Sequence, residues 1–176
     1  MQIESTHLAG QIVGLCVTAI SIYGLTRACD KQFRRMGRWT ALVDFVHWAL
    51  LGAYTGAVTA ILIAIRVWAA ERLQHATQKT KVQATAGFFG VFSIGMAATW
   101  AGPVSLLPWL AVLNATYAYF FTAGLRLRGH FVFTNACWIG YGLAIGSVGG
   151  VATSTIATAV GITTLWRMRR QRALPV

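Results

Sequence analysis

The chain has 176 residues, the length of one domain, and 56% of them are apolar while only 11% are charged. A soluble domain carries about 25% charged residues and cannot bury so large an apolar share, and a disordered chain cannot keep that share in water. We therefore expect an integral membrane protein, with the lipid bilayer as its surroundings.

The net charge of +11 comes from 15 basic and 4 acidic residues. Basic chains often bind nucleic acid through one continuous basic face. Here the basic residues form short clusters between long apolar runs, which is typical of residues that set membrane topology. The pattern predicts no nucleic-acid partner.

Seven apolar runs approach the length needed to cross a bilayer core of about 30 Å at 1.5 Å per helical residue. In chain order they cover residues 8–26, 39–53, 55–73, 84–101, 104–123, 131–145 and 148–166. Only glycine-containing turns, at 52–56 and 146–150, separate the second run from the third and the sixth from the seventh. A single 34-residue helix is the alternative for each pair, but the glycines and the bilayer thickness favour two helices.

Fourteen of the 15 basic residues lie on alternate connections between these runs. They occur within 27–38, 72–81, 126–128 and 167–172, and the intervening connections have none. Because basic loops stay in the cytoplasm, we predict a multi-pass protein of the inner membrane with a periplasmic N-terminus and a cytoplasmic C-terminus.

An internal repeat is visible at an offset of 94 residues, where the sequence of 51–57 matches that of 145–151. Gly52 coincides with Gly146 and Gly56 with Gly150, and each copy precedes a run that ends in Trp and Arg. This pattern predicts an all-α membrane protein, a single domain over 1–176. Two parallel three-helix repeats, 8–73 and 103–170, are joined in it by a linker helix at 84–102.

Three ionisable residues lie inside the predicted spans: Asp44, His47 and Arg66. Asp44 and His47 are three residues apart and share a helix face, and antiparallel packing brings Asp44 level with Arg66. One interpretation is a structural ion pair between the second and third helices. The other is one wall of a polar cavity open to the cytoplasm, in which His47 titrates near neutrality.

The repeat offset places Trp138 opposite Asp44 and Tyr141 opposite His47, so that one half supplies charge and the other aromatic surface. We add Asn114, in the middle of the fifth run, and predict a substrate site formed by Asp44, His47, Arg66, Asn114, Trp138 and Tyr141. Hydrogen bonds between helices are the alternative role of Asn114, Asn135 and Gln11. Pro108 predicts a bend in the fifth helix.

Catalytic motifs are absent from the sequence, which contains no HExxH, GxSxG or Walker pattern and whose four histidines are dispersed. We therefore expect neither an enzyme nor a bound cofactor or metal ion.

Several segments resemble the YgjV family of bacterial inner membrane proteins. They are HWALLGAY at 47–54, AILIAIR at 60–66, LLP at 106–108, GSVGG at 146–150 and WRM at 166–168. The similarity extends over nearly the whole chain and implies a location in the bacterial inner membrane.

The arrangement of three helices, a linker and three helices is more distantly similar to SWEET sugar facilitators, PQ-loop carriers and PnuC vitamin transporters. In those families a small solute binds between two triple-helix bundles. The first run departs from the PQ-loop pattern, because it has Gly10 before Gln11 where a proline is expected. The resemblance implies a facilitator of a small polar solute, acting through a cavity between the repeats. The alternative is a non-transporting membrane scaffold or an envelope-maintenance protein. A homo-oligomer is compatible with the sequence.

Overall fold

The computed structural model describes residues 2–50, 54–100, 102–144 and 148–173, which form seven α-helices, one short 3-10 helix and no strand. The 3-10 helix, Pro103–Ser105, directly precedes α5. The helices are α1 Gln2–Leu25, α2 Asp30–Leu50, α3 Tyr54–Arg72, α4 Gln78–Ala98, α5 Leu106–Phe121, α6 Gly124–Ala144 and α7 Val148–Ala173. The all-helical class is as expected from the sequence.

The chain forms two compact units, Met1–Glu71 and Arg72–Val176. Unit 1 contains α1, α2 and all but the last residue of α3, and unit 2 contains α4 to α7. In unit 1, α3 buries a stripe of small residues at helical spacing. That stripe consists of Ala57, Ala60, Ala64, Val67 and Ala70.

Four helices begin six to nine residues earlier than the apolar runs indicated. We expected starts at 8, 39, 84 and 131, whereas α1 begins at Gln2, α2 at Asp30, α4 at Gln78 and α6 at Gly124. Local signals explain two of these starts. Asp30 is an acidic residue at the positive end of the α2 dipole, and the Thr77 hydroxyl caps α4 by accepting the Thr80 N–H.

Most of the basic residues that we assigned to connections therefore lie within helices. Residues 31–38 belong to α2, 79–81 to α4 and 126–128 to α6. An apolar scan stops where the hydrocarbon core stops, but a helix continues through the headgroup layer, where basic side chains are solvated.

The second and third helices are separate, as predicted, and so are the sixth and seventh. The Arg38 guanidinium of α2 forms an ion pair with the Glu71 carboxylate of α3, whereas one straight helix would place these residues about 50 Å apart. In unit 2, a methyl group added at Gly161 of α7 would lie 3.4 Å from Val132 of α6, instead of about 44 Å along one helix. Each pair of helices is therefore antiparallel. Of the turns predicted at 52–56 and 146–150, residues 52–53 and 146–147 lie outside the described residues, whereas 54–56 belong to α3 and 148–150 to α7.

Close contacts at small residues hold the other hairpins together. Added methyl groups at Gly14 and Gly24 of α1 would each lie 2.8 Å from α2, from the His47 ring and from Met36 respectively. In unit 2, a methyl group added at Gly140 of α6 would lie 3.3 Å from Leu107 of α5, and the Trp109 indole N–H of α5 donates to the Ser93 hydroxyl of α4 at 3.0 Å. Small residues that let helix backbones approach are typical of helix packing in membranes.

The bend predicted at Pro108 is wrong. Pro108 is the third residue of α5, so it lies in the first turn, where a helix does not require the missing N–H. The irregularity of this segment is the 3-10 turn before α5.

Among the described residues, one segment is both long and apolar enough to cross a bilayer. It is the 19-residue stretch Pro103–Phe121, and Ile12–Leu25 is a shorter apolar helix.

Candidate functional site

His47 connects α1 to α2. Its Nδ1 lies 2.8 Å from the Gly10 carbonyl oxygen, and because a carbonyl only accepts, Nδ1 carries the proton and donates. The ring also fills the space beside Gly14. His47, which we predicted as a solute ligand, is therefore engaged in packing between two helices.

Asp44 is half-buried and Arg66 is 4% exposed. Counted from the Arg38–Glu71 ion pair, Asp44 lies six residues along α2 and Arg66 five residues back along α3, which is about 9 and 8 Å in the same direction. The two residues are thus nearly level. Both interact with other groups of the protein, and their pairing with each other stays a prediction.

Our sequence reasoning missed the Arg38–Glu71 ion pair, because it treated Arg38 as part of a basic connection. The two side chains lie 2.5 Å apart and are 27% and 22% exposed. The signal was available in the antiparallel register that brings Asp44 level with Arg66, since the same register brings Arg38 close to Glu71.

Asn114 of α5 forms the centre of a hydrogen-bond network with α6. Its amide N–H groups donate to the His130 carbonyl oxygen at 2.8 Å and to the Thr134 hydroxyl at 2.9 Å. Its side-chain oxygen therefore accepts from His130 Nδ1, at 2.7 Å. This assignment leaves His130 Nε2 as the ring nitrogen available to a ligand.

Trp138 and Tyr141 of α6 contact each other edge to face, with ring centroids 6.0 Å apart. The hydrogen bonds of Asn114 go instead to His130 and Thr134, which lie two turns and one turn before Trp138 in α6. Of the six predicted site residues, Asp44, His47 and Arg66 lie in unit 1 and the other three in unit 2. A single site containing all six stays a prediction.

An open groove of about 440 Å³ adjoins the Asn114 network. Its lining consists of Asn114, Arg126, Gly129, His130 and Phe133. A second groove of about 520 Å³ is lined by Gln78, Lys81, Val82, Tyr117, Phe120 and Phe121. The Tyr117 ring meets the His130 ring edge-on at 5.4 Å, so it lies between the two grooves.

Of the residues that line this groove, our sequence reasoning predicted only Asn114 as a site residue, and it treated His130 as one of several dispersed histidines. His130 and Thr134 are one helical turn apart, and an antiparallel α5–α6 hairpin brings both opposite Asn114. That spacing was the signal for the network.

The two units share details of their hairpins at the repeat offset of 94 residues. The bounds of α2, Asp30–Leu50, and of α6, Gly124–Ala144, coincide at this offset, and so do the first residues of α3 and α7. Arg34 and Arg128 occupy equivalent positions and are 4% and 1% exposed. We had assigned both arginines to the connections between helices, yet each lies within a helix and is buried.

No group of three or more His, Cys, Asp or Glu side chains capable of holding a metal ion occurs in the part of the chain that the structure describes.

Comparison with known proteins identifies relatives over nearly the full length. The model of a family described as bacterial inner membrane protein, Imp-YgjV, matches residues 8–172. Inner membrane protein YgjV of Escherichia coli (strain K12) is 28% identical over 171 residues, which cover 95% of this chain and 90% of that protein. No solved structure matches the chain. The family resemblance is confirmed: the chain belongs to the YgjV family of bacterial inner membrane proteins.

Proposed function

We propose that this inner membrane protein crosses the bilayer with all seven helices, with its N-terminus in the periplasm and its C-terminus in the cytoplasm. Every helix carries a large apolar side chain that is exposed and suited to contact lipid. One per helix, from α1 to α7, these include Leu15, Val46, Ile65, Ile94, Leu110, Leu143 and Ile162. The alternation of basic segments supports the orientation.

We further propose that the protein facilitates the movement of a small polar solute. The observation that carries this proposal is the agreement between the two units in helix bounds and in the buried Arg34 and Arg128. Transporters are commonly built from two structural repeats, with α4 as the linker in a SWEET-like arrangement. Two matching hairpins are expected if the solute passes between two such repeats.

The role that we propose for unit 2 in this transport is to supply aromatic surface. Trp138 is 36% exposed and its edge-to-face contact with Tyr141 orients both rings. Aromatic faces suit the apolar side of a sugar, nucleoside or amino acid. We propose that the protein is not an enzyme and that the solute passes chemically unaltered.

A non-transporting membrane scaffold is the alternative, and one observation favours it. His47 is engaged with Gly10 and Gly14 of α1, which is the arrangement of a packing residue rather than that of a ligand.

Uptake by purified protein in lipid vesicles tests the transport proposal. We expect uptake of a labelled sugar, nucleoside or amino acid, recovered unaltered, and its loss in Trp138→Ala with unchanged folded yield. Trp166→Ala is the matched control, because Trp166 is an exposed tryptophan on another helix, α7, of the same unit. If Trp138→Ala loses folded protein in proportion to uptake, Trp138 is a packing residue, and if no solute of the three classes enters, the scaffold is favoured.

A further inference from the structure

The groove beside the Asn114 network lies in a unit without acidic side chains. Residues 72–176 contain nine Lys and Arg residues and no Asp or Glu. No side chain of this unit carries a negative charge that would repel an anion, and no acidic side chain of the unit neutralises its positive charge.

Two groups of this groove are available to a ligand. Arg126 is exposed and makes no hydrogen bond or ion pair within the described part of the chain, so it can bind an anionic group. The Nε2 of His130 is likewise not hydrogen-bonded by any described residue, and because Nδ1 carries the proton and donates to Asn114, Nε2 can accept a hydrogen bond from a ligand hydroxyl. Lys81, in the adjoining groove, donates to the Gln74 carbonyl oxygen and has further N–H groups to offer.

The open side of the groove also presents apolar surface. Phe133 is 50% exposed and lines it, and Tyr117, beside the His130 ring, is 46% exposed. His130 lies six residues from the start of α6 and Asn114 seven from the end of α5, so the groove extends about 10 Å from these helix ends. That depth covers the headgroup layer and reaches the edge of the hydrocarbon core.

We propose that this groove binds the headgroup of an anionic phospholipid, such as phosphatidylglycerol. Arg126 binds the phosphate through charge-assisted hydrogen bonds, His130 Nε2 contacts the headgroup, and Phe133 contacts the glycerol and the start of an acyl chain. A soluble anion would not use the exposed aromatic rings, and a zwitterionic lipid would not match the basic lining.

The binding site belongs to unit 2 alone. At the repeat offset, Asn114 corresponds to Ile20 and His130 to Met36, so unit 1 does not contain the network. The inference does not depend on transport, and a failed uptake experiment leaves it intact.

Gly129 provides a test that does not disturb packing. A Cβ atom added there meets no atom within 4 Å, so a leucine side chain at this position starts in open space and extends into the groove that Gly129 lines. Gly90→Leu in α4 is the matched control, since that position is equally open. Arg126→Gln removes the side chain that is proposed to bind the phosphate. Its control, Arg169→Gln, removes an exposed charge from α7.

The experiment uses the full chain in detergent and measures bound lipid by native mass spectrometry. Phosphatidylglycerol, phosphatidylcholine and soluble glycerol phosphate are added separately. We expect wild-type protein, Gly90→Leu and Arg169→Gln to retain phosphatidylglycerol in preference to phosphatidylcholine. Arg126→Gln should weaken that preference about fivefold, as expected for one basic residue at an anionic surface, and Gly129→Leu should abolish it.

Two results would overturn the inference. Equal retention of phosphatidylglycerol by Gly129→Leu and wild type would show that anionic lipid binds to the general positive charge of the unit. Binding of glycerol phosphate as tightly as the lipid would show that the groove takes a soluble phosphate ester.

Discussion

Gly14 determines how closely α1 approaches His47 of α2. At this contact, Gly14 has no side chain to keep the helices apart, and the His47 ring is held in place by its hydrogen bond to Gly10. A hydrogen bond and a close backbone approach at one residue pair explain why a polar ring is tolerated between two apolar helices.

We predict that Gly14→Ala destabilises the protein by about 1–3 kcal/mol, because the new methyl group would lie 2.8 Å from the His47 ring. Thermal unfolding in detergent measures the change. Gly90→Ala, at an open helix position, should be neutral or stabilising, since alanine favours helix. Adding His47→Ala to Gly14→Ala should recover part of the loss, and an equal loss with and without His47 would contradict the proposed clash.

The Asn114 network leads to a second residue-level prediction. Asn114→Ala removes hydrogen bonds to the His130 ring, the His130 carbonyl and the Thr134 hydroxyl, and should cost about 1–2 kcal/mol. Asn135→Ala is the control. Asn135 is half-buried on α6, and no described residue forms a hydrogen bond with its side chain. Equal melting temperatures for the two variants would show that the network adds nothing to stability.

At the level of helices, the ion pair between Arg38 and Glu71 shows the register of α2 against α3. Both side chains are about a quarter exposed, so we expect the pair itself to contribute less than about 1 kcal/mol. In the same register, Asp44 and Arg66 lie at the same level deeper in the hairpin.

We predict that Asp44 and Arg66 are coupled. Asp44→Asn or Arg66→Gln alone should lower the folded yield by an amount equivalent to about 2–3 kcal/mol, because each leaves an uncompensated charge in the membrane. The double variant should recover part of the loss. Size-exclusion yield in detergent measures it, with the Arg38→Gln, Glu71→Gln cycle as the weaker comparison. Strictly additive losses at Asp44 and Arg66 would show that the two do not interact.

On the scale of the whole molecule, the charge pattern predicts which segments face the cytoplasm. Phosphatase fusions after Trp100 should be active, since that segment is predicted to be periplasmic. Fusions after His75 or after Ala173 should be inactive, and the corresponding fluorescent fusions should be bright. An active phosphatase after Ala173 would reverse the predicted orientation.

How far the sequence predicts the fold depends on the kind of signal. The existence of seven helices follows from apolar runs that approach membrane length, and the α2–α3 and α6–α7 breaks follow from their glycines. The helix starts at Gln2, Asp30, Gln78 and Gly124 did not follow, because a hydropathy scan does not register a helix that continues into the headgroup layer. Pro108 was misjudged for a related reason: its effect depends on its distance from the helix start.

The sequence predicted the candidate site only in part as well. Asn114 and the pair Trp138 and Tyr141 were recognised as unusual polar or aromatic residues in apolar runs, but their partners were not. Which residue His130 contacts depends on the rotation of α6 about its axis against α5, and helix rotation is set by packing contacts such as Gly140 with Leu107.

The sequence by itself determined the membrane setting, the helical class and the offset of 94 residues, because these depend on composition and periodicity along the chain. The resemblance of its segments to known proteins indicated the family. Only the tertiary structure decided that Arg34 and Arg128 are buried, that His47 packs against α1 and that His130 lies in a basic groove. These facts depend on which helix faces meet, and that choice results from many small packing contacts between residues distant in the chain.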